Sequence, residues 1–389
     1  MSTATMKSSR MMALENLDVS LKRVLKGSSA SLPEGTVLIS SDSHWNITED
    51  IFYDRAPADL KERMPRIWTD EEGRLCIGIE HKNLLAGPIE ELLASFNRPG
   101  FYDLDARMAD LDDDGVAMEI VYPQWLMFYL HHPDLEMREW LFRIYNEYLA
   151  EISERSNGRF HGMGIPTYWD SAKAPASIEH IKRIGLKGAM LPVNAGNSPA
   201  GVKVNYATDD MDDMWAAAED CHLPITYHIG ENPHLEGPGG VGAGLLGTFV
   251  PFRRTLGDLI FGGIFDRHPT LKVVFAEAGI NWVPGALQDA EMILDSWGKF
   301  LDPKIQHRPT DYWHKHCYAT FMADEVGLDL VDYIGRDRIM WATDYPHNEG
   351  SHGYTEKVVQ NIVDRMGPSD AKKILGQTAI EVFDLQLPS

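Results

Sequence analysis

Cysteine is scarce in this chain. Cys76, Cys221 and Cys317 are its only three, an odd number at wide spacing. Neither a disulfide framework nor a zinc ribbon is expected, and a reducing, cytoplasmic setting fits. Long apolar runs are absent too, and none approaches the roughly 20 residues of a membrane span. The first thirty or so residues hold Met, Ser and Lys but no apolar core of a secretory signal; residues 1–35 read as a loosely held arm. Positive charge is in deficit: 36 Lys+Arg stand against 58 Asp+Glu, a formal net charge of -22. Nucleic acid and anionic membrane surfaces are therefore excluded as partners by repulsion from their phosphates. A small anionic substrate is not excluded, because one local Arg can hold it. No G-x-G-x-x-G follows the first strand, which argues against dinucleotide binding, and there is no short repeat or low-complexity segment.

What is present is enough for a sizeable core, since 44% of the residues are hydrophobic. Eight short apolar runs read as strands: 36–40, 117–121, 160–165, 186–191, 223–227, 271–276, 317–321 and 339–343. Helical spacing marks 104–114, 136–154, 172–184, 209–221, 252–265, 282–300 and 324–334, with Gly115 and Gly185 as stops. Alternation of this kind predicts a parallel sheet, and eight units predict a closed (β/α)8 TIM barrel filling 36–389 as a single domain. Residues 46–100 carry scattered Pro and Gly and read as an inserted segment or lid after the first strand. Gly237, Gly239, Gly240, Gly242 and Gly244 mark a loop after the fifth.

In such a barrel the C-terminal strand ends share one mouth. They carry Asp42 and His44 from the first strand, His228 from the fifth, Glu277 from the sixth and Asp344 from the eighth. Asp42 and His44 are two apart, so both face the same way. A carboxylate at the end of a buried strand is costly unless something pairs with it. Two imidazoles with two or three carboxylates make a mixed nitrogen and oxygen site for one divalent cation. Singly, each residue has a plainer reading: Asp344 opening a turn that Pro346 closes, or a lone histidine satisfied in the core. The set is what points to a metal. Trp45, Trp125, Phe128 and Trp282 follow strand ends and either wall a flat apolar pocket or pack the rim. Arg253 or Arg254 clamps a substrate carboxylate or lies on the surface. His347 orients substrate or caps a turn, and His161 is a second-tier candidate. His314 and His316 precede a strand, so they are expected on the surface of the opposite face. His131, His132, His222 and His234 have no identifiable ligand partner.

Several stretches carry a wider resemblance: S-S-D-S-H-W, R-M-A-D-L-D-D-D-G-V-A-M-E-I-V-Y-P, R-I-Y-N-E-Y-L, L-P-I-T-Y-H-I-G, H-P-T-L-K-V-V-F-A-E-A-G, R-I-M-W-A-T-D-Y-P-H and a closing A-K-K-I-L-G-Q-T-A. Together the chain resembles the amidohydrolase superfamily, in the amidohydrolase-related branch typified by aminocarboxymuconate-semialdehyde decarboxylase. The resemblance implies a metal-dependent barrel whose members decarboxylate or hydrolyse small, often aromatic, acids. It implies one divalent ion, zinc first with manganese or iron as alternatives, and a homo-oligomer, most simply a dimer. Two departures stand out. The family's usual first-strand pair is His-x-His and here it is Asp42-x-His44, although related decarboxylases carry acids at that first position. Where many members have a histidine base at the end of the sixth strand, this chain has Glu277.

The expectation is a metal-dependent hydrolase or non-oxidative decarboxylase of a small carboxylated, aromatic or ring-derived substrate. Asp42, His44, His228 and Asp344 are its expected metal ligands. Glu277, Asp344 and His228 are its expected catalytic residues, and Trp45, Trp125, Arg253, Trp282 and His347 its substrate contacts. The alternative, motivated by the two departures, is a barrel that binds a small ligand without turnover.

Overall fold

The computed structural model describes residues 30–71, 73, 75–80, 82–84, 98–231 and 236–388. Most of the expected N-terminal arm, part of the 46–100 segment and His234 lie outside them. The strands are β1 (Ile39–Ser40), β2 (His44–Trp45), β3 (Arg66–Thr69), β4 (Leu75–Gly78), β5 (Met118–Pro123), β6 (Phe160–Gly164), β7 (Gly188–Leu191), β8 (Ile225–His228), β9 (Val273–Ala276), β10 (Cys317–Phe321) and β11 (Ile339–Trp341).

β1 and β2 are two halves of one stave. Both pair in parallel with β5, Ile39 opposite Met118 and His44 opposite Tyr122. From β5 the staves follow in chain order to β11, every neighbour parallel. Backbone bonds close the seam: Ser41 N–H donates to Trp341 O at 3.0 Å, Asp344 N–H to Asp42 O at 3.0 Å and His44 N–H to Tyr345 O at 2.7 Å. The result is the eight-stave barrel that the strand count predicts. The first stave runs further than 36–40, because its ladder resumes at His44 after the polar residues that end the apolar run.

Local chemistry explains the main helices. Leu104–Asp114 is capped by the Asp103 carboxylate, which accepts the Ala106 N–H, and ends at Gly115 with φ 72. Leu135–Arg155 is capped by Asp134, which accepts the Met137 N–H. Three expectations fail. The predicted helix 324–334 is two, Glu325–Asp329 and Val331–Ile334, parted at Leu330. The predicted helix 252–265 is two, Phe252–Phe261 and Ile264–Arg267, broken at Gly262 and Gly263. A Cβ on Gly262 would lie 2.5 Å from the Ala207 Cβ, and Gly263 has φ 70. The predicted glycine loop contains a helix, Gly240–Thr248. Each glycine costs a helix only about 1 kcal/mol, which raises the barrier to helix formation without forbidding it.

The described part of 46–100 packs onto the barrel's outer layer. β3 and β4 form an antiparallel hairpin. Phe52, in the helix Ile51–Arg55, is fully buried, and Arg55 pairs with Glu151 of Leu135–Arg155. His314 is exposed, but His316 is not on the surface as expected. It stacks on Phe265 at 4.4 Å, and its Nδ1 donates to the Leu271 carbonyl just before β9, at the face away from the mouth. Among the described residues no helix is long and apolar enough to cross a membrane.

Candidate active site

Strand parity decides what enters the mouth. Asp42 and His44 point into the barrel, so Ser43 and Trp45 point out. Trp45 accordingly packs edge-on against Phe160 at 5.4 Å, in the layer behind the sheet. The expected substrate contact at Trp45 is thus a core contact. Trp282 is likewise core: it packs on Phe252, Phe275 and Trp313, and its indole N–H donates to Gly279 O. Arg253 is half exposed and bonded to Asp289 at 2.7 Å, and Arg254 bonds Asp258. Neither arginine joins the mouth. Trp125 is buried, next in the chain to Gln124, and stacks on Phe128. His161 lies near the start of β6, remote from the cluster, and burial pushes its imidazole down to about 4.

Asp42, His44, His228, Glu277, Asp344 and His347 do converge. His228 Nε2 is 3.1 Å from Glu277 Oε2 and 3.3 Å from Asp42 Oδ1. His44 Nε2 is 3.3 Å from Asp344 Oδ1 and 3.9 Å from Asp42 Oδ1. His347 Nδ1 is 3.0 Å from Asp344 Oδ1 and 3.3 Å from Glu277 Oε1, and its ring stacks on His44 at 4.2 Å. Glu277 follows β9 directly and Asp344 comes three residues after the end of β11, with φ 69 and φ 53. Left-handed backbone is uncommon for residues other than glycine, and such strain clusters at functional sites. Both carboxylates reach the cluster from these left-handed positions.

Hydrogen bonds behind the cluster set which ring nitrogen faces it. A carbonyl can only accept, so His228 Nδ1 donates to Ile229 O at 2.7 Å and Nε2 faces Asp42 and Glu277. His347 Nε2 lies 3.0 Å from Gln124 Oε1, which leaves Nδ1 toward Asp344 and Glu277. Outer-layer partners of this kind are what orient metal-binding histidines. On β10, the Thr320 hydroxyl accepts the Glu277 N–H at 2.9 Å and reaches Asp42 Oδ2 at 3.4 Å. Gln124 and Thr320 went unnoticed in the sequence because neither residue type signals chemistry by itself. Their positions, just after one stave and within another, were the only available clue.

The electrostatics call for a cation. Burial raises Asp42, Glu277 and Asp344 above the usual carboxylate range, and Asp344 raises Glu277 further. Burial pulls the His228 imidazole down, but Glu277 and Asp42 outweigh it and lift it to about 9. Burial, with His347 and His228 adding, holds His44 well below its ordinary value. Among the described residues no Lys or Arg pairs with these three acids. Among the described residues no backbone amide or hydroxyl answers the Asp344 carboxylate, which faces the imidazoles of His44 and His347. Two groups of donors lie within 4.8 Å of one another, Asp42, His44 and His228 in one and His44, Glu277, Asp344 and His347 in the other. They share His44. The donor set fits a divalent cation, which would take over the role that protons on His228 and His347 play beside these acids.

The amidohydrolase family matches residues 128–385, more than half of the chain. The chain belongs to the amidohydrolase family. This amidohydrolase is 24% identical over 220 residues to the γ-resorcylate decarboxylase of Polaromonas sp., covering 53% of this chain and 66% of that one. It is 24% identical over 300 residues to the 2-amino-3-carboxymuconate-6-semialdehyde decarboxylase of Dictyostelium discoideum, covering 73% of this chain and 77% of that one. Its fold is that of an amidohydrolase from Mycobacterium avium subsp. paratuberculosis K-10, with TM-score 0.73 and 18% identity over 91% of this chain and 99% of that one. It is also that of 5-carboxyvanillate decarboxylase from Novosphingobium aromaticivorans, solved with manganese and 3-methoxy-4-hydroxy-5-nitrobenzoic acid. That likeness has TM-score 0.69 and 19% identity, over 93% of this chain and 100% of the other.

Proposed function

We propose that the chain is a metal-dependent, non-oxidative decarboxylase of a small aromatic or ring-derived carboxylic acid. The observation that carries this reading is the buried cluster of three acids and three histidines at the barrel mouth, with no Lys or Arg paired to those acids among the described residues. Decarboxylases among the relatives support it. In this reading Asp42, His44, His228 and Asp344 hold one divalent ion. The ion supplies Lewis acidity toward a substrate oxygen. The manganese in the 5-carboxyvanillate enzyme, with the two carboxylates of this set, favours manganese over the zinc that the family resemblance implies.

Proton transfer falls to the chain's own groups. When the carbon–carboxylate bond breaks and carbon dioxide leaves, the carbon must gain a proton. Glu277 and His347, 3.3 Å apart at the open side of the cluster, are placed to hold and pass it. Burial favours the protonated form of Glu277, which helps it to donate near neutral pH.

Metal analysis followed by a panel of hydroxylated benzoates, with carbon dioxide as readout, tests the proposal. The expected result is one divalent ion per chain and carbon dioxide release that stops in chelator and returns with added metal. Hydrolysis of amide or lactone analogues without carbon dioxide would make it a hydrolase. Bound metal and ligand with no turnover would make it a binding barrel.

We also propose a homodimer in a reducing compartment such as the cytoplasm. The helix Gly240–Thr248 buries none of its residues within the chain, and Leu246 and nearby Val250 are exposed, so apolar surface is available to a second copy. The three free cysteines suit such a compartment. A monomer mass by light scattering across the micromolar range sinks the dimer.

A further inference from the structure

Behind the mouth, between the barrel wall and the helix Leu104–Asp114, lies a pair of charges that the proposed reaction does not use. Arg107 and Glu119 are both completely buried. Arg107 Nε donates to Glu119 Oε1 at 2.9 Å, Nη2 to Oε2 at 2.6 Å, and Nη1 to the Gly100 carbonyl at 3.1 Å. Stability alone gives no reason for charges here, because apolar residues of similar volume hold a helix to a sheet as well as a buried ion pair does.

The pair's remaining contacts give a reason. Glu119 faces outward from β5 and accepts from the Ser43 hydroxyl at 2.9 Å, a hydrogen that Ser43 shares with Ile120 O. Ser43 stands between Asp42 and His44, facing out where they face in. The Arg107 guanidinium lies 3.9 Å from the centre of the Tyr345 ring. Tyr345 follows Asp344, and its carbonyl accepts the His44 N–H at 2.7 Å. Its hydroxyl bonds Asp110, which Arg98 holds at 2.8 Å. One ion pair thus grips the two backbone segments that meet at the barrel seam, and both carry donors of the cluster.

We infer that Arg107 and Glu119 are positioning residues for the metal centre, fixing Asp42 and His44 through Ser43 and Asp344 through Tyr345. The seam is where this matters most, since it joins the first and last staves of the chain. This inference rests on the metal reading of the site. Partners one layer out from a metal typically change its affinity by about 10–100-fold.

The test titrates manganese(II) and zinc(II) into metal-free protein in competition with a chromophoric chelator. It also compares the visible absorption of cobalt(II)-loaded samples. Ser43→Ala cuts the link while leaving the ion pair. The double variant Arg107→Met with Glu119→Leu replaces the pair by apolar volume. We expect both to fold, to melt within a few degrees of the metal-free wild type, to bind metal about 10–100-fold more weakly, and to show a shifted cobalt spectrum. Wild-type affinity or an unchanged cobalt spectrum in either folded variant overturns the inference. A double variant that does not fold assigns the pair to folding and overturns it as well. If the wild type binds no ion, the metal reading itself fails and this inference falls with it.

Discussion

Asp344→Ala leaves a folded barrel that holds no metal and has lost about 10³ or more of its turnover. Asp344 is fully buried, it touches both His44 and His347, and among the described residues no Lys or Arg pairs with it. An uncompensated carboxylate in that position is destabilising without a cation, so its removal from the metal-free protein relieves the fold. Against this, alanine at φ 53 pays about 1–2 kcal/mol for left-handed backbone that Asp tolerates better. The two effects oppose, and the metal-free melting temperature is expected to move little. Loss of one electrostatic contact at a reacting centre is worth about 10²–10³ in rate, and loss of the ion removes more than one. His228→Ala is expected to behave in the same way, because Nε2 is oriented by the Ile229 carbonyl toward Asp42 and Glu277. Elemental analysis and single-turnover rates check both variants. Normal metal content in either one removes that residue from the ligand set.

Glu277→Gln keeps the metal and lowers turnover by roughly 10²–10⁴, the usual worth of a positioned proton-transfer group. In the proposed ligand set Asp42, His44, His228 and Asp344 offer four donors, so the ion would not need Glu277. Its carboxylate instead spans His228 Nε2 at 3.1 Å and His347 Nδ1 at 3.3 Å. Burial raises it above the ordinary carboxylate value, with His228 opposing and Asp344 adding, and so favours a carboxyl group that holds a proton. Glutamine has the same size and can keep the backbone bond from the Glu277 N–H to Thr320, but cannot carry the proton. Metal content measured beside the steady-state rate separates the alternatives. Loss of the ion would make Glu277 a ligand, and near-normal turnover would leave it a structural residue.

The barrel, its order of strands and five members of the cluster are legible in the chain before it folds. Asp42, His44, His228, Glu277 and Asp344 were legible because each sits where an apolar run ends. In a parallel barrel that position alone places a side chain at the common mouth. His316 was placed on the correct face for the same reason, since it precedes β10, though its burial against Phe265 depends on a helix distant in the chain. Tertiary structure decided the rest. Trp45 directly follows His44, which faces the cluster, so strand parity turns it away from the mouth and into the layer behind the sheet. Trp282 and Arg253 also follow strand ends in the chain, but helix register gives the first to the core and the second to Asp289. His347 enters the cluster because the turn after β11 folds its ring back over His44. Gln124, Thr320 and the Arg107–Glu119 pair gain their meaning only from neighbours up to 278 positions away in the chain. Alternation along a strand is a local property that sequence carries. Which residues meet across the barrel, and what answers a buried charge there, depends on contacts that form only when the seam closes.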